Sequence, residues 1–175
     1  MEPADTLTEV ILRVVAAVVC GGVLGWEREQ NKRPAGLRTH MMVALGGAAF
    51  TLLALKIYFS AEAESNFALD PQRAVQGVIG GIGFLGAGSI IQSRGSVRGV
   101  TTAATIWVVG SIGVACGAGF YQIGVTTVIT AFVILAGVGR IEELWMDKPK
   151  KEQPVQSDAQ QPPATPQNPT QAGID

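Results

Sequence analysis

Histidine occurs once in this chain and cysteine twice, and acidic side chains are missing from the middle of every long apolar run. Each scarcity excludes something. A metal centre built from clustered His and Cys needs several such ligands together, and His40 stands alone. A disulfide framework is equally unsupported, because Cys20 and Cys116 both lie inside apolar stretches and read as small packing residues. Proton relays and divalent-cation pathways place carboxylates at membrane depth, facing a cavity. An apolar interior without them argues against a carboxylate-lined carrier or a proton-coupled pump. The sequence also offers no nucleophile–base pair, metal-ligand cluster or phosphate loop, so it predicts neither an enzyme nor a bound cofactor. A net charge of −1 leaves no broadly basic surface for nucleic acid.

What the chain does have is apolar length. Hydrophobic residues make up 47% of it and charged residues 15%, and the two are segregated rather than mixed. Crossing about 30 Å of hydrocarbon takes roughly 20 mostly apolar residues in a helix. Five stretches meet that need, at about residues 9–25, 37–59, 73–92, 101–118 and 120–139. The expected fold is therefore all-α, a bundle of five transmembrane helices over residues 1–147. A Pro-, Gln- and Ala-rich tail over 148–175 cannot bury enough surface to offset chain entropy and is expected to be disordered. The acidic opening MEPADTLTE and the interrupting Arg13 do not suit a cleavable signal, so the first helix is expected to stay attached. A tight turn at Gly117-Ala118-Gly119 separates the last two spans and leaves Phe120 and Tyr121 at an interface.

The charges then orient the bundle. Ten basic residues fall on one side: Arg28, Lys32, Arg33 and Arg38, then Arg94 and Arg98, then Arg140, Lys148, Lys150 and Lys151. The other side carries Glu2, Asp5, Glu9, Glu62, Glu64 and Asp70, with Arg73 its one cation, while Arg13 and Lys56 can snorkel near the outer ends of spans. The positive-inside rule places the N-terminus outside and the C-terminus and tail in the cytosol.

Glycine supplies the packing signal. Small-xxx-small pairs recur at Gly21/Gly25, Gly77/Gly81 and Gly113/Gly117, and such pairs let helix backbones approach closely in lipid. The run GVIGGIGFLGAG over residues 77–88 has the broadest small face. Its Gly80, Gly81, Gly83, Phe84, Gly86 and Gly88, with Trp107, are expected to form the tightest helix packing. The unit of GGVLG, basic loop and GLRT is echoed by GFLGAG, basic loop and GVTT, a faint parallel repeat.

Candidate functional residues gather on the basic rim: Glu27, Arg28, Glu29, Arg38, Thr39, His40, Arg98, Gly99 and Thr102. Helices 2 and 4 begin there, so Thr39 and either Thr101 or Thr102 are expected to cap them. A helix N-terminus beside Arg38 and Arg98 could hold an anion or lipid headgroup. Glu27 and Glu29 flank Arg28 and are expected to pair with Arg38 or Arg98. His40, without a second ligand, reads as an interfacial histidine rather than a metal site.

Three segments in order, GWEREQNKRPAGLRTH over 25–40, GGIGFLGAGSII over 80–91 and VRGVTTAATIWVVGSIGVACGAG over 97–119, resemble the MgtC/SapB family of bacterial inner-membrane proteins. The likeness covers about residues 10–140. It implies a five-span, multi-pass protein of the bacterial cytoplasmic membrane, associated with adaptation to low Mg²⁺ and, in pathogens, with virulence. It further implies contact with a membrane partner such as the F-type ATP synthase. By matching position, the characteristic residues are Glu27, Arg28, Pro34, Gly36, Leu37, Arg38, Thr39, Gly83, Phe84, Gly86, Gly88, Arg98, Gly99, Thr102, Ala103 and Trp107. Virulence-type members carry a cytosolic ACT-like domain, where this chain is expected to have its tail, and an asparagine where it has Thr101. The chain looks closer to the shorter SapB-like branch. The leading expectation is a non-enzymatic membrane protein acting on a partner, with a possible homo-oligomer. The alternatives are a small ion channel or transporter, whose pore backbone carbonyls could line, and an anion or lipid sensor at the rim.

Overall fold

A computed structural model describes residues 6–64, 71–93 and 96–138. Five helices follow one another: α1 Leu7–Gln30, α2 Leu37–Glu64, α3 Pro71–Gly88, α4 Val100–Gly117 and α5 Tyr121–Val133, which continues as a π-helical turn over Ile134–Val138. Between α3 and α4 lies a small antiparallel hairpin, β1 Ile91–Ser93 and β2 Ser96–Arg98, with Gln92 opposite Val97. The expected tail over 148–175, residues 65–70 of the acidic loop and the first five residues lie outside the described residues.

The burial pattern is that of a protein whose surroundings are apolar. In α1 the enclosed stripe is Arg13, Ala17, Gly21, Leu24, Gly25 and Arg28, while Ile11, Leu12, Val15, Val19 and Val23 stand exposed. A water-soluble helix reverses that order. The same holds on α2, where Phe50, Leu53 and Ile57 face outward, and on α5, where Ile123, Ile129 and Val133 do. So much exposed apolar surface marks a face made for lipid. Four helices among the described residues are long and apolar enough to cross a bilayer: Leu7–Gln30, Leu37–Ser60, Val100–Gly117 and Tyr121–Val138. The helical membrane fold expected from the sequence is present.

α3 is the outlier. It forms where a span was expected, but its first turns carry Gln72, Arg73 and Gln76 and its remainder holds six glycines. Its C-terminal end also differs from the expected 73–92. Ser89 N–H donates to the Gly86 carbonyl and Ile90 N–H to that of Ala87, closing the helix before the hairpin begins. α1 departs in the opposite sense and runs five residues beyond the expected end at 25. Glu27, Arg28 and Glu29 are thus helical, and stop signals come later, where Asn31, Lys32 and Arg33 amides return to Glu27, Glu29 and Arg28 carbonyls.

α4 is the central helix, packed on α1, α2, α3 and α5, and α1 and α2 share the most extensive interface. The core consists of Ala17, Leu24, Ala44, Ala48, Val109, Ile112, Cys116 and Val128. Both cysteines are free, and Cys116 is one of these core residues, in line with its reading as a packing residue. The reversal at Gly117-Ala118-Gly119 is built as expected. Gly119 has a φ of +85°, which glycine adopts without cost, and amides of Ala118, Gly119 and Phe120 close on the end of α4.

The tightest packing is not where the sequence placed it. A Cβ at Gly77, Gly80, Gly81, Gly83 or Gly88 would meet no atom within 4 Å. Gly86 reaches only ordinary contact with Ala103, Phe84 is 80% exposed and Trp107 is half exposed. The close approaches of one helix backbone to another belong to α1, α2 and α4, whereas Gly110 of α4 is pressed on the Ile82 side chain of α3. A Cβ on Gly21 would lie 2.7 Å from that of Ala44, one on Gly117 2.6 Å from the Ala48 carbonyl oxygen, and one on Gly47 2.9 Å from that of Gly110. Gly113 is pressed on the Ala44 carbonyl in the same way. Small residues on both sides make these the close crossings; on α3 only Gly86, opposite Ala103, meets a small residue in this way.

Arg13 also departs from expectation. It does not extend outward but is buried, and its Nη1 donates to the Gly117 carbonyl at 3.2 Å. A cation at the C-terminal end of α4 satisfies an open carbonyl and the negative end of the helix dipole together.

Candidate functional site

At the end of the bundle that carries the α1–α2 loop, three polar side chains from three helices are buried together, with the half-buried Glu27 beside them. Their burial starts from backbone proximity. A Cβ on Gly25 would lie 2.8 Å from Leu37 Cα and 2.9 Å from His40 Cβ, so α2 can begin directly against α1 only because position 25 has no side chain. His40, one turn into α2, is enclosed there completely. Its Nδ1 stands 2.9 Å from the Gly36 carbonyl. A carbonyl can only accept, so Nδ1 carries the proton and Nε2 presents a lone pair when the ring is neutral.

Arg28, one turn beyond Gly25 on the same face of α1, is 4% exposed. Its Nη2 donates to Thr102 Oγ1 at 3.1 Å, tying α1 to the first turns of α4. Beside it, Glu27 Oε1 accepts from Asn31 Nδ2 at 2.7 Å, and the same amide reaches the Glu27 carbonyl at 2.9 Å. Three atoms of this cluster remain buried without a partner: Glu27 Oε2, Arg28 Nε and His40 Nε2. Unpaired buried polar atoms are rare in folded proteins, and they concentrate at sites where structure serves something besides stability.

The neighbouring Glu29 has a different task. Its Oε2 accepts from the Leu37 amide at 2.7 Å, capping the first turn of α2 from the preceding helix. Gly36 makes room for it, since a Cβ there would lie 2.5 Å from that oxygen. The carboxylate also meets the positive end of the α2 dipole.

The rim expected from the sequence therefore splits in two. Arg28, His40 and Thr102 come together as a buried cluster with the half-buried Glu27 at its edge, and Glu29 caps α2 beside it. Arg38, Thr39 and Arg98 are exposed and stay outside. The expected pairing of Glu27 and Glu29 with Arg38 or Arg98 is replaced by contacts to Asn31 and to the Leu37 amide. The expected threonine caps are replaced too. Thr39 lies within α2, Thr102 receives Arg28, and Gly99 occupies the cap of α4 at a φ of +90° with no side-chain hydrogen bond. Gly99 is pressed on the Ser89 carbonyl, which closes the base of the hairpin. Sequence reasoning missed Asn31 and Gly47 as contributors, while Gly36 was named through the family resemblance alone. The first had a visible signal, since an Asn four residues after a Glu on a helix can bond back to it.

Chemically the cluster can hold helices in register or receive a small polar group. No group of three or more His, Cys, Asp or Glu side chains suited to a metal occurs among the described residues. Away from it, α2 and α3 diverge to leave an apolar groove of about 970 Å³, with Arg38 and Thr39 at one end and Ile57 and Ala74 near the other.

A sequence profile of the MgtC family matches residues 14–144. Protein SrpB of Synechococcus elongatus is 38% identical over 145 residues, which cover 77% of this chain and 78% of that protein. "Putative magnesium transporter YhiD" of Escherichia coli is 35% identical over 127 residues, covering 73% of this chain and 59% of its own length. Protein MgtC of Brucella abortus is 40% identical over 121 residues, or 69% of this chain and 47% of that one. The chain thus spans about half the length of the MgtC proteins it matches. No solved structure matches it.

Proposed function

The chain belongs to the MgtC family, and from that premise we propose that it is a non-enzymatic protein of the bacterial inner membrane that acts by contact with another membrane protein. On this reading α3 is a fifth span, the N-terminus lies outside, and the basic end with the buried Arg28 cluster faces the cytosol. The ten-to-one distribution of basic residues supports the orientation.

The observation that carries the proposal is the state of α3. Gly80, Gly83 and Phe84 are exposed on it, and a Cβ at either glycine would meet nothing within 4 Å. A small-residue face that is unused inside the bundle is the kind of surface another helix packs on in lipid, where close backbone approach replaces the hydrophobic drive. The family resemblance supplies the setting, adaptation to Mg²⁺ limitation, and the expected partner, the F-type ATP synthase. Affinity capture from detergent extracts of Mg²⁺-starved cells tests this. Synthase subunits should co-purify, and Gly83→Leu or Phe84→Ala should weaken their recovery. Recovery of no membrane protein above background would overturn it.

The name of YhiD favours a second reading, magnesium transport. Against it stands the lack of Asp or Glu within the apolar runs away from their ends. Liposomes holding the purified chain separate the two readings. Sustained Mg²⁺, K⁺ or proton flux that Gly86→Leu abolishes and Gly83→Leu leaves intact would establish transport.

A further inference from the structure

The groove between α2 and α3 has a polar end and an apolar body. Arg38 and Thr39, both exposed, stand at its basic end, and beyond them the walls are apolar, with Met42 and Phe50 on α2. Its depth comes from glycine. Gly77 and Gly81 line it from α3, and a Cβ at either would meet no atom within 4 Å. The protein's own side chains therefore do not fill it. From Arg38 to Phe50 is twelve residues of helix, about 18 Å at 1.5 Å per residue. One leaflet of a bilayer has a hydrocarbon depth of about 15 Å, half the usual ~30 Å core.

We propose that this groove binds an anionic phospholipid of the leaflet at the basic end, with its headgroup on Arg38 and acyl chain laid along α2 toward Phe50. The chemistry selects this occupant over the others. A free anion would be satisfied at Arg38 and would leave an apolar trough of about 970 Å³ unexplained. A helix from a second copy or from another protein would cover Arg38 with apolar surface, and a guanidinium desolvated without a partner is strongly unfavourable. A phospholipid meets both ends at once, and the cytosolic leaflet is where anionic lipids attract basic side chains. Arg98, exposed on β2, is a cation of the same rim that does not line the groove. The site is separate from Gly83 and Phe84, which do not line it either, so it stands or falls apart from the partner contact proposed above.

The full chain, reconstituted in vesicles of equal phosphatidylglycerol and phosphatidylcholine and then released into mild detergent, would be analysed by native mass spectrometry. The wild-type chain should retain one phosphatidylglycerol at least fivefold over phosphatidylcholine. Arg38→Gln should remove that preference, Gly81→Phe should remove retention of both lipids, and Arg98→Gln should retain lipid as wild type does. Circular dichroism and size exclusion would confirm that each variant keeps the helical monomeric or oligomeric state of the parent. Equal retention of the two lipids by wild type, or equal losses for Arg38→Gln and Arg98→Gln, would overturn the proposal. So would a Gly81→Phe variant that is folded and still retains phosphatidylglycerol. A mass corresponding to a second copy that disappears with Gly81→Phe would reassign the groove to self-association.

Discussion

Replacing Gly113 by alanine should separate two helices that now touch, while the same change at Gly83 should be harmless. At Gly113 the added methyl would be driven into the Ala44 carbonyl, with Ala44 Cα and carbonyl carbon at 3.0 Å, and these are backbone atoms that cannot rotate away. α2 and α4 must move apart, and forcing a methyl into a packed interface costs about 1–3 kcal/mol. Against this stands the gain from alanine's better helix propensity, about 0.8–1.0 kcal/mol. Because the obstacle is main chain, the upper part of the cost range applies, and the net loss is about 1–2 kcal/mol. At Gly83 no atom lies within 4 Å, so the propensity gain stands alone and the variant should be as stable as wild type or up to about 1 kcal/mol more so. Steric-trapping measurements of unfolding in bicelles would give both values. Equal stabilities for Gly113→Ala and Gly83→Ala, or a loss at Gly83, would refute the assignment of close packing to α2 and α4 and return it to α3.

Thr102→Val should cost about 1–3 kcal/mol by leaving the buried Arg28 Nη2 unpaired, whereas Thr102→Ser should cost less and Arg28→Met combined with Thr102→Val should recover part of the loss; the same unfolding assay reads all three. Glu29→Ala should free the Leu37 amide, destabilise the start of α2 by about 1 kcal/mol and raise hydrogen exchange at Leu37, with Glu29→Gln closer to wild type because it keeps an acceptor. Gly99→Ala combines an added methyl against the Ser89 carbonyl with a φ of +90°, and strain of that kind costs about 1–3 kcal/mol, seen as a lowered Tm of the purified chain. A cysteine introduced at Gln30 should stay unlabelled by a membrane-impermeant reagent in intact cells, and labelling there would reverse the proposed orientation.

The buried cluster has a bearing on how the basic end of the bundle works. Arg28, His40 and Thr102 come from α1, α2 and α4, so any movement that separates those helices breaks the Arg28–Thr102 bond and exposes atoms now hidden. Glu29 and Gly36 hold the same junction from the loop side. Substitutions in this cluster are therefore expected to act on the relative placement of three helices, not on one of them.

Much of the architecture could be read from local sequence. Apolar runs of sufficient length make helices wherever backbone hydrogen bonds must be satisfied without water, and that demand is met within each segment, independent of neighbours. Gly117-Ala118-Gly119 could be read as a turn for the same reason, because the positive φ it needs is a property of one residue. What local sequence could not decide was which face of each helix turns inward. The 77–88 run carries more glycine than any other, yet all of its glycines except Gly86 face open space, because close packing needs small residues on both partners and α2 and α4 supply them to each other. The rim arginines look alike in sequence, but Arg28 is buried and Arg38 and Arg98 are exposed, since only Arg28 shares the stripe of Gly21 and Gly25 that α2 covers. Helices and their membrane setting follow from each segment's own composition; burial, pairing and the shape of the site follow from contacts between segments far apart in the chain.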